Sequence, residues 1–408
     1  MSMIGIRVSV LQRWSCKRNG CYIRVCAMSN RSRGWADLPS GLLDSIISRL
    51  GSFHDLLAFQ ATCRPWHAVF SSCPFKYNVA ALFPPLLLQH DGSQCSPHPH
   101  SIRNFTVTTR PCRVTDIANK HTTYQGFQIP IVWNSHGENA SSSPMENFYF
   151  SGASYGHLIF SSNKSCAVFD VFTGVTVSSP QLPVLDEGTR PIYGALTAPL
   201  ASANSYLIIK VGSQNLFWRV GSHSWVARSP RYAPIKQIIV LQGQVFGMDS
   251  DRRLFKLQLM PQQIKITELP VRESSMITNR HLSNTWLVTC GEMLLLVGFR
   301  EPRPGGRFKV FRLDLSTDPA LWLKMEKLEN WAIFISKDER SQTLSCMNPE
   351  RWGGRSNHIY CYDSNSKRCI TIELGNGSKF NPNAFALKDW AGWVQPMWVV
   401  PSMFSLQR

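Results

Sequence analysis

The fold is decided by residues 35–74, WADLPSGLLDSIISRLGSFHDLLAFQATCRPWHAVFSSCP, which carry three helix signals in forty residues. The first helix is predicted to start at Pro39, because the fixed φ of proline suits a first helical turn and its missing N–H is not needed there. We expect this helix to run to about Leu50 and to be stopped by Gly51. Its apolar side chains form one broad stripe, which consists of Leu42, Leu43, Ile46, Ile47 and Leu50.

Two further helices are predicted after Gly51. The second takes Ser52 or Asp55 as its N-cap. Its candidates for burial are Leu56, Leu57, Phe59 and Ala61. The third begins near residues 63–66, and Pro65 is expected to delay its start by a residue or two, because the residue before a proline avoids helical φ/ψ.

This pattern resembles the F-box, a short three-helix module that docks the Skp adaptor of cullin–RING ubiquitin ligases. In that family a Leu-Pro pair opens the first helix, aliphatic residues repeat along it, and Cys-x-x-Trp ends the module. Here the pair is Leu38-Pro39, and Cys63 with Trp66 ends the module. The resemblance implies that the adaptor-binding residues are Leu38, Pro39, Leu42, Leu43, Ile46, Leu50, Leu57 and Trp66, of which Leu57 and Trp66 hold the helices together.

The alternative is an ordinary three-helix cap on a larger domain, since the apolar face of a helix usually belongs to a core. Three short helices carry more apolar stripe than so small a core can bury. The apolar surplus therefore favours a docking surface for a partner.

Composition places the chain among globular proteins with room for more than one domain, since 43% of its 408 residues are hydrophobic and 17% are charged. No apolar run approaches the roughly eighteen residues of a membrane span, so no membrane contact is expected. The twelve cysteines lack paired spacing and are expected to be reduced thiols. None of the Cys and His groups has the CxxC spacing of a structural zinc site, and we expect neither metal nor cofactor.

The net charge of +17 is not concentrated in one dense basic run. Seven basic residues precede Asp37 without an intervening acid, namely Arg7, Arg13, Lys17, Arg18, Arg24, Arg31 and Arg33. Residues 1–34 therefore read as a basic, unstructured leader, and nucleic acid is not the expected partner. Two alternatives stay open, an organelle transit peptide within residues 1–33 and a true start at Met28. Because an F-box meets its ligase partners in the nucleus or cytosol, we expect the protein there.

After the F-box at 35–75 and a predicted linker at 76–100, the helical period disappears. Short runs rich in β-branched and aromatic residues replace it, each bounded by turn residues, as in antiparallel strands. Residues 134–147 are expected to form an exposed loop. The thirteen predicted strands start at or beside Gly156, Cys166, Tyr206, Leu216, Ile238, Gln244, Leu254, Trp286, Met293, Phe308, Ala332, His358 and Cys369.

The runs recur as a loose unit whose anchors are Asp170, Arg219, Asp314 and Asp363, spaced 49, 95 and 49 residues apart. One further unit near Lys256 restores a period of about fifty residues, which is typical of kelch-type propellers. Radial repetition also leaves only short sheet edges. The fold class predicted is α+β multidomain, with a small all-α F-box followed by a mostly antiparallel kelch-like β-propeller at 101–408. The alternative is a non-repetitive pair of β-sandwiches.

The same region resembles the kelch-like domain of unknown function that follows the F-box in a large plant family. The segments that carry this resemblance are SYGHLIF from Ser154, FTGVTVSSPQLP from Phe172, WLKMEKLENWAIFIS from Trp322, NHIYCYD from Asn357 and WVQPMW from Trp393. The propeller is expected to present loops on one face to a target protein.

No catalytic motif is evident. The chain lacks a phosphate-binding loop, a G-x-S-x-G elbow and an H-E-x-x-H helix, and Gly305-Gly306 reads as a turn. We therefore predict a non-catalytic substrate-recognition subunit of an SCF-type ubiquitin ligase, which binds a Skp-type adaptor and an unknown target and acts by tethering. The alternative is a non-ligase binding module, organelle-targeted or RNA-associated, that is led by its basic leader.

Overall fold

The computed structural model describes residues 34–72, 83–90, 99–102, 105–118, 122–131, 148–183, 191–227, 235–260, 263–272, 282, 284–300, 307–363, 368–375 and 395–401. Residues 1–33 of the predicted leader and the predicted loop at 134–147 lie outside these residues. The described part begins with a 3₁₀ turn (Trp35–Asp37) and three short α-helices, and it continues as β-strands, with one further 3₁₀ turn (Pro349–Trp352), to residue 399.

The first helix, α1 (Ser40–Ile47), is shorter than predicted at both ends. Pro39 is its N-cap, with an extended ψ of 142°, and not its first helical residue. At the other end the amide of Leu50 donates to the carbonyl of Ile47 at 3.2 Å, an i→i+3 bond that closes the helix as a tightened turn. Gly51 therefore follows the helix and does not stop it.

The second helix, α2 (Phe53–Thr62), has Ser52 as its N-cap. The amide of Asp55 donates to Oγ of Ser52 at 3.1 Å, and that hydroxyl donates to the Asp55 carboxylate at 2.7 Å. Leu56 and Phe59 are buried as predicted, whereas Ala61 is exposed because it lies on the opposite face of the helix.

The third helix, α3 (Arg64–Ser72), begins without the delay expected from Pro65. Pro65 lies in the first turn, where no intrahelical bond needs its missing N–H. The amide of His67 donates to the carbonyl of Cys63 at 3.0 Å and starts the helical ladder.

The strands of the described residues form six sheets, which we name blades 1 to 6. Blade 1 holds β1 (Leu86–His90), β2 (Pro99–Ile102), β3 (Phe105–Asp116), β4 (Thr122–Ile131) and β26 (Met397–Val399); blade 2 holds β5 (Tyr149–Ser154), β6 (His157–Ser161), β7 (Cys166–Asp170) and β8 (Thr176–Ser178); blade 3 holds β9 (Pro191–Leu196), β10 (Tyr206–Val211), β11 (Gln214–Arg219) and β12 (Val226–Ala227).

The other three blades follow in chain order. Blade 4 holds β13 (Gln237–Leu241), β14 (Gln244–Met248), β15 (Leu254–Leu259) and β16 (Ile264–Leu269); blade 5 holds β17 (Val271–Arg272), β18 (Asn284–Cys290), β19 (Met293–Arg300), β20 (Arg307–Asp314) and β21 (Ala320–Met325); blade 6 holds β22 (Trp331–Ile335), β23 (Leu344–Met347), β24 (His358–Asp363) and β25 (Arg368–Glu373). All thirteen predicted strands are present.

The blades close into a ring. Among the described residues there are six buried apolar clusters, and each joins two successive blades, the last joining blade 6 to blade 1. Between blades 2 and 3, for example, Ile159 lies in one cluster with Leu207. Six blades and six contacts make a closed six-bladed propeller, so the predicted propeller is confirmed and the paired β-sandwiches are excluded.

The repeat found in the sequence corresponds to the blades. Its anchors Asp170, Arg219, Asp314 and Asp363 each end the third strand of a blade. Lys256 lies in β15, which is the third strand of blade 4, so the unit that the spacing required is present.

The predicted linker at 76–100 is wrong where β1 forms and where β2 begins. The strand β1 pairs with β3 and with β26. Its side chains are buried on both faces, Leu86 and Leu88 in the cluster between blades 1 and 2 and Leu87 in the cluster between blades 6 and 1. Pairing of β1 with β26 joins the start of the propeller to its last described strand. Blade 1 is therefore the blade that closes the ring.

Candidate adaptor-docking surface and propeller centre

The predicted stripe of α1 divides into two faces. Leu43 and Ile47 point inward and are 1% and 2% exposed. Leu42 is 53% exposed, and Pro39 beside it is exposed as well. Because these side chains belong to one short helix, α1 contributes to a core on one side and leaves an apolar surface on the other.

Four of the other predicted docking residues lie between these extremes. Leu38, Ile46, Leu50 and Trp66 are partly buried and pack against the cluster that contains Leu43. The ring of Trp66 lies 4.6 Å from that of Phe59, and its Nε1–H donates to the carbonyl of Trp35 at 2.8 Å. Leu57 lies in α2, but its side chain falls outside the description. We name Leu38, Pro39, Leu42 and Ile46 the α1 surface.

Trp35 is a residue that sequence reasoning missed. Its side chain is 76% exposed, while its backbone carbonyl anchors Trp66. Large exposed aromatic side chains are frequent anchors at interfaces. The available signal was an isolated tryptophan three residues before the Leu-Pro pair.

The helices share a core with the propeller. The cluster that holds Leu43, Ile47 and Phe53 also holds residues of blades 1 and 2, such as Leu158. The ring of Phe53 meets that of Phe172 edge to face at 6.3 Å between centroids. The helical module is thus packed on the closing end of the propeller.

The centre of the propeller is crossed by residues 338–343, which connect β22 to β23. The amide of Ala153 in β5 donates to the carbonyl of Arg340 at 3.1 Å, and the amide of Gln342 donates back to Ala153 at 2.9 Å. Blade 6 accommodates this crossing by an unusual strand order, β23-β22-β24-β25, with β22 and β24 parallel.

Side chains fix the crossing segment to several blades. Arg340 donates to the Asp338 carboxylate at 2.7 Å and to the carbonyl of Phe150 in blade 2 at 2.6 Å. Glu339 pairs with Lys236 at the start of blade 4, and Oγ1 of Thr343 donates to Leu287 in blade 5. A cavity of about 20 Å³ beside this segment is large enough for one water molecule.

Reactive chemistry is sparse in the part of the chain that the structure describes. No group of three His, Cys, Asp or Glu side chains converges there as a metal site would require. Burial raises the pKa of the Cys112, Cys166 and Cys290 thiols to about 12, which keeps them protonated. Among the described helices, none is long and apolar enough to cross a membrane.

One buried histidine has polar partners. Nδ1 of His157 lies 2.8 Å from the carbonyl oxygen of Tyr155, and Nε2 of the same ring lies 3.9 Å from the Asp170 carboxylate. Burial lowers the pKa of His157, and this outweighs the opposing effect of Asp170. The imidazole is therefore neutral at pH 7 and links β6 to the hairpin turn before it.

Comparison with known families places both parts of the chain. A family model described as KIB1-4 beta-propeller matches residues 126–381, which is more than half of the chain. The chain belongs to the KIB1-4 β-propeller family. A second model, described as F-box-like, matches residues 35–76. The predicted F-box followed by a propeller is thus confirmed, while the kelch type of the KIB1-4 propeller and the plant origin stay predictions.

No curated protein matches this KIB1-4 chain. Solved structures resemble it only distantly. They include the Cps50 (Swd1) β-propeller domain of Myceliophteria thermophila, with 8% identity, a TM-score of 0.35 and coverage of 69% of this chain and 98% of that one. AztD of Citrobacter koseri has 12% identity and a TM-score of 0.28, and the match covers 56% of this chain and 54% of that one. The calcium-binding protein regucalcin of Agrobacterium tumefaciens has 13% identity and a TM-score of 0.28, and the match covers 52% of this chain and 70% of that one. Nothing about function follows from similarities this distant.

Proposed function

We propose that this protein is a substrate-recognition subunit of an SCF-type cullin–RING ubiquitin ligase. In this proposal the F-box-like helices bind a Skp-type adaptor and the propeller binds a target protein. The observation that carries it is the α1 surface, where Leu42 is 53% exposed at the position that the F-box pattern assigns to adaptor contact. An exposed apolar surface of this kind is stabilised by a protein partner.

The eight predicted docking residues take different roles. Pro39 and Leu42 are open to a partner, and Leu38, Ile46 and Leu50 border them as partly buried neighbours. Leu43 is buried and supports the surface from inside, as Trp66 does by packing on Phe59. Leu57 keeps its predicted role in holding the helices together.

The propeller supplies a rigid scaffold for target recognition. Its centre is filled by residues 338–343, so the loops and outer edges of the blades are the surfaces open to a target. The chain itself performs no chemistry in this proposal. It raises the concentration of the target near a charged ubiquitin carrier.

Adaptor co-purification tests the proposal. The double variant Leu38→Ala with Pro39→Ala is expected to lose the Skp-type adaptor while the propeller keeps its near-UV circular dichroism and melting temperature. Leu315→Ala is the matched control, since Leu315 is an exposed leucine of the propeller. Undiminished adaptor recovery with the double variant removes the assignment.

We further propose that the protein acts in the nucleus or cytoplasm, where the ligase partners are found. The competing function is an organelle-targeted or RNA-associated binding module. Imaging a tagged chain with and without residues 1–33 separates the two. Unchanged nuclear and cytoplasmic fluorescence supports the ligase subunit, whereas organelle import that requires residues 1–33 supports the competing function.

A further inference from the structure

The core beneath α1 is built from both ends of the propeller. Leu86 and Leu88 of β1 belong to the same buried cluster as Leu43 of α1. Met397 and Val399 of β26 belong to it too, although about 350 residues separate them from α1 in the sequence. The support of the α1 surface therefore includes the strand that closes the ring.

The pairing of β1 with β26 separates two sides of blade 1. Leu86 faces Val399 and Leu88 faces Met397, and these four side chains belong to the cluster under the helices. The middle pair, Leu87 with Trp398, belongs instead to the cluster between blade 1 and blade 6. Alternation along the two strands thus gives β26 two side chains in the helix-supporting cluster and one in the other.

Two contacts hold the helices on either side of blade 1. The guanidinium of Arg351, which follows β23 in blade 6, donates to the carbonyl of Ser48 just after α1. On the other side, Phe53 at the start of α2 packs edge to face on Phe172 of blade 2. Both neighbours of the closing blade therefore contact the helical module.

We propose that closure of the propeller by β26 is the event that makes the α1 surface competent to bind its adaptor. The helix α1 has eight residues, and helices this short are unstable without tertiary packing. Its packing comes from Leu43 and Ile47 in a cluster that β26 completes. A chain whose last strand has not paired would present a loosened α1 and stay outside the ligase. This inference rests on the proposed function.

The test compares two truncations of a buried aliphatic side chain in the full-length protein. Val399→Ala removes part of the cluster under the helices, and Ile266→Ala removes a similar side chain from the cluster between blades 3 and 4. Hydrogen exchange of the α1 and α2 amides and the adaptor dissociation constant are measured for both. We expect Val399→Ala to speed exchange in α1 about tenfold and to weaken the adaptor by a similar factor. Ile266→Ala should leave both at wild-type values.

The variant Met397→Ala with Val399→Ala enlarges the effect, and Val399→Ala alone remains the milder test if the double variant does not fold. Wild-type α1 exchange in Val399→Ala overturns the coupling, and so does equal acceleration in Ile266→Ala. Failure of the proposed function would appear separately, as absence of adaptor binding by the wild-type protein. In that case the exchange rates still decide whether β26 supports α1.

Discussion

Leu42 and Leu43 are adjacent leucines with opposite environments, and replacing each by alanine separates docking from folding. Leu43 is 1% exposed inside the cluster shared with blades 1 and 2, whereas Leu42 is 53% exposed on the α1 surface. The same chemical change therefore removes a core side chain in one variant and a surface side chain in the other.

The expected magnitudes differ widely. Truncating a buried leucine costs about 2–5 kcal/mol of the free energy of unfolding, so Leu43→Ala should destabilise the protein by that amount. Leu42→Ala should change it by no more than about 0.5 kcal/mol, as for other surface substitutions. An adaptor that covers the exposed half of Leu42 gains about 1 kcal/mol, which corresponds to a roughly fivefold weaker dissociation constant in Leu42→Ala.

The assays are urea denaturation followed by far-UV circular dichroism and calorimetric titration with a purified Skp-type adaptor. Leu315→Ala serves as the control for an exposed leucine remote from α1. Equal destabilisation by Leu42→Ala and Leu43→Ala would refute the division of α1 into two faces. Unaltered adaptor affinity in Leu42→Ala would refute the assignment of the α1 surface.

Three further predictions concern the stability and reactivity of the fold. Gly152→Ala should destabilise the protein by about 3 kcal/mol in thermal denaturation, because the added Cβ would lie 2.0 Å from the carbonyl oxygen of Gly194. Gly41→Ala should stabilise the protein by about 0.5–1 kcal/mol, because the added Cβ meets open space in the helix α1. Burial lowers the pKa of His157 in the folded protein, so the stability that the neutral imidazole contributes is present above the unfolded pKa of 6.5 and is lost as the pH falls below 6.5. His157→Gln should reduce this loss in urea denaturation at a series of pH values, and an unchanged pH profile of stability would contradict the prediction. Iodoacetamide at about pH 8 should not alkylate three buried thiols of the native protein, because burial raises their pKa to about 12; they are Cys112, Cys166 and Cys290. Peptide mass spectrometry that finds them alkylated would contradict their burial.

Features set by local physics could be predicted from the sequence. Strands such as β10 and β19 are short apolar runs between turn residues, and their extended conformation follows from that composition. The anchors are 49, 95 and 49 residues apart, so the repeat was visible, and the double interval indicated the unit near Lys256. The Leu-Pro pair and the stripe that follows it located the helical module.

Features that depend on pairing between distant segments could not be predicted from the sequence. The strand β1 lies in a stretch with a Pro-Pro pair before it and a polar segment after it, and only its pairing with β26 makes it part of a blade. The crossing of the centre by residues 338–343 depends on the reversed order of β22 and β23, which no local pattern records.

The division of α1 into a buried and an exposed face could not be predicted from the sequence either. Periodicity shows that Leu42 and Leu43 lie on one apolar stripe, but it does not show which part of that stripe the propeller covers. That division follows from the position of blades 1 and 2 beneath α1. The site was therefore predicted as a set of residues, and the structure distinguishes the exposed Leu42 from the buried Leu43 within it.

Hydrogen exchange of the full-length protein with and without a Skp-type adaptor tests whether the α1 surface is the adaptor-binding site. We predict slower exchange over residues 35–50 in the complex and unchanged exchange in blades 3 to 5. Protection confined to the propeller, or no protection at saturating adaptor, would contradict the account.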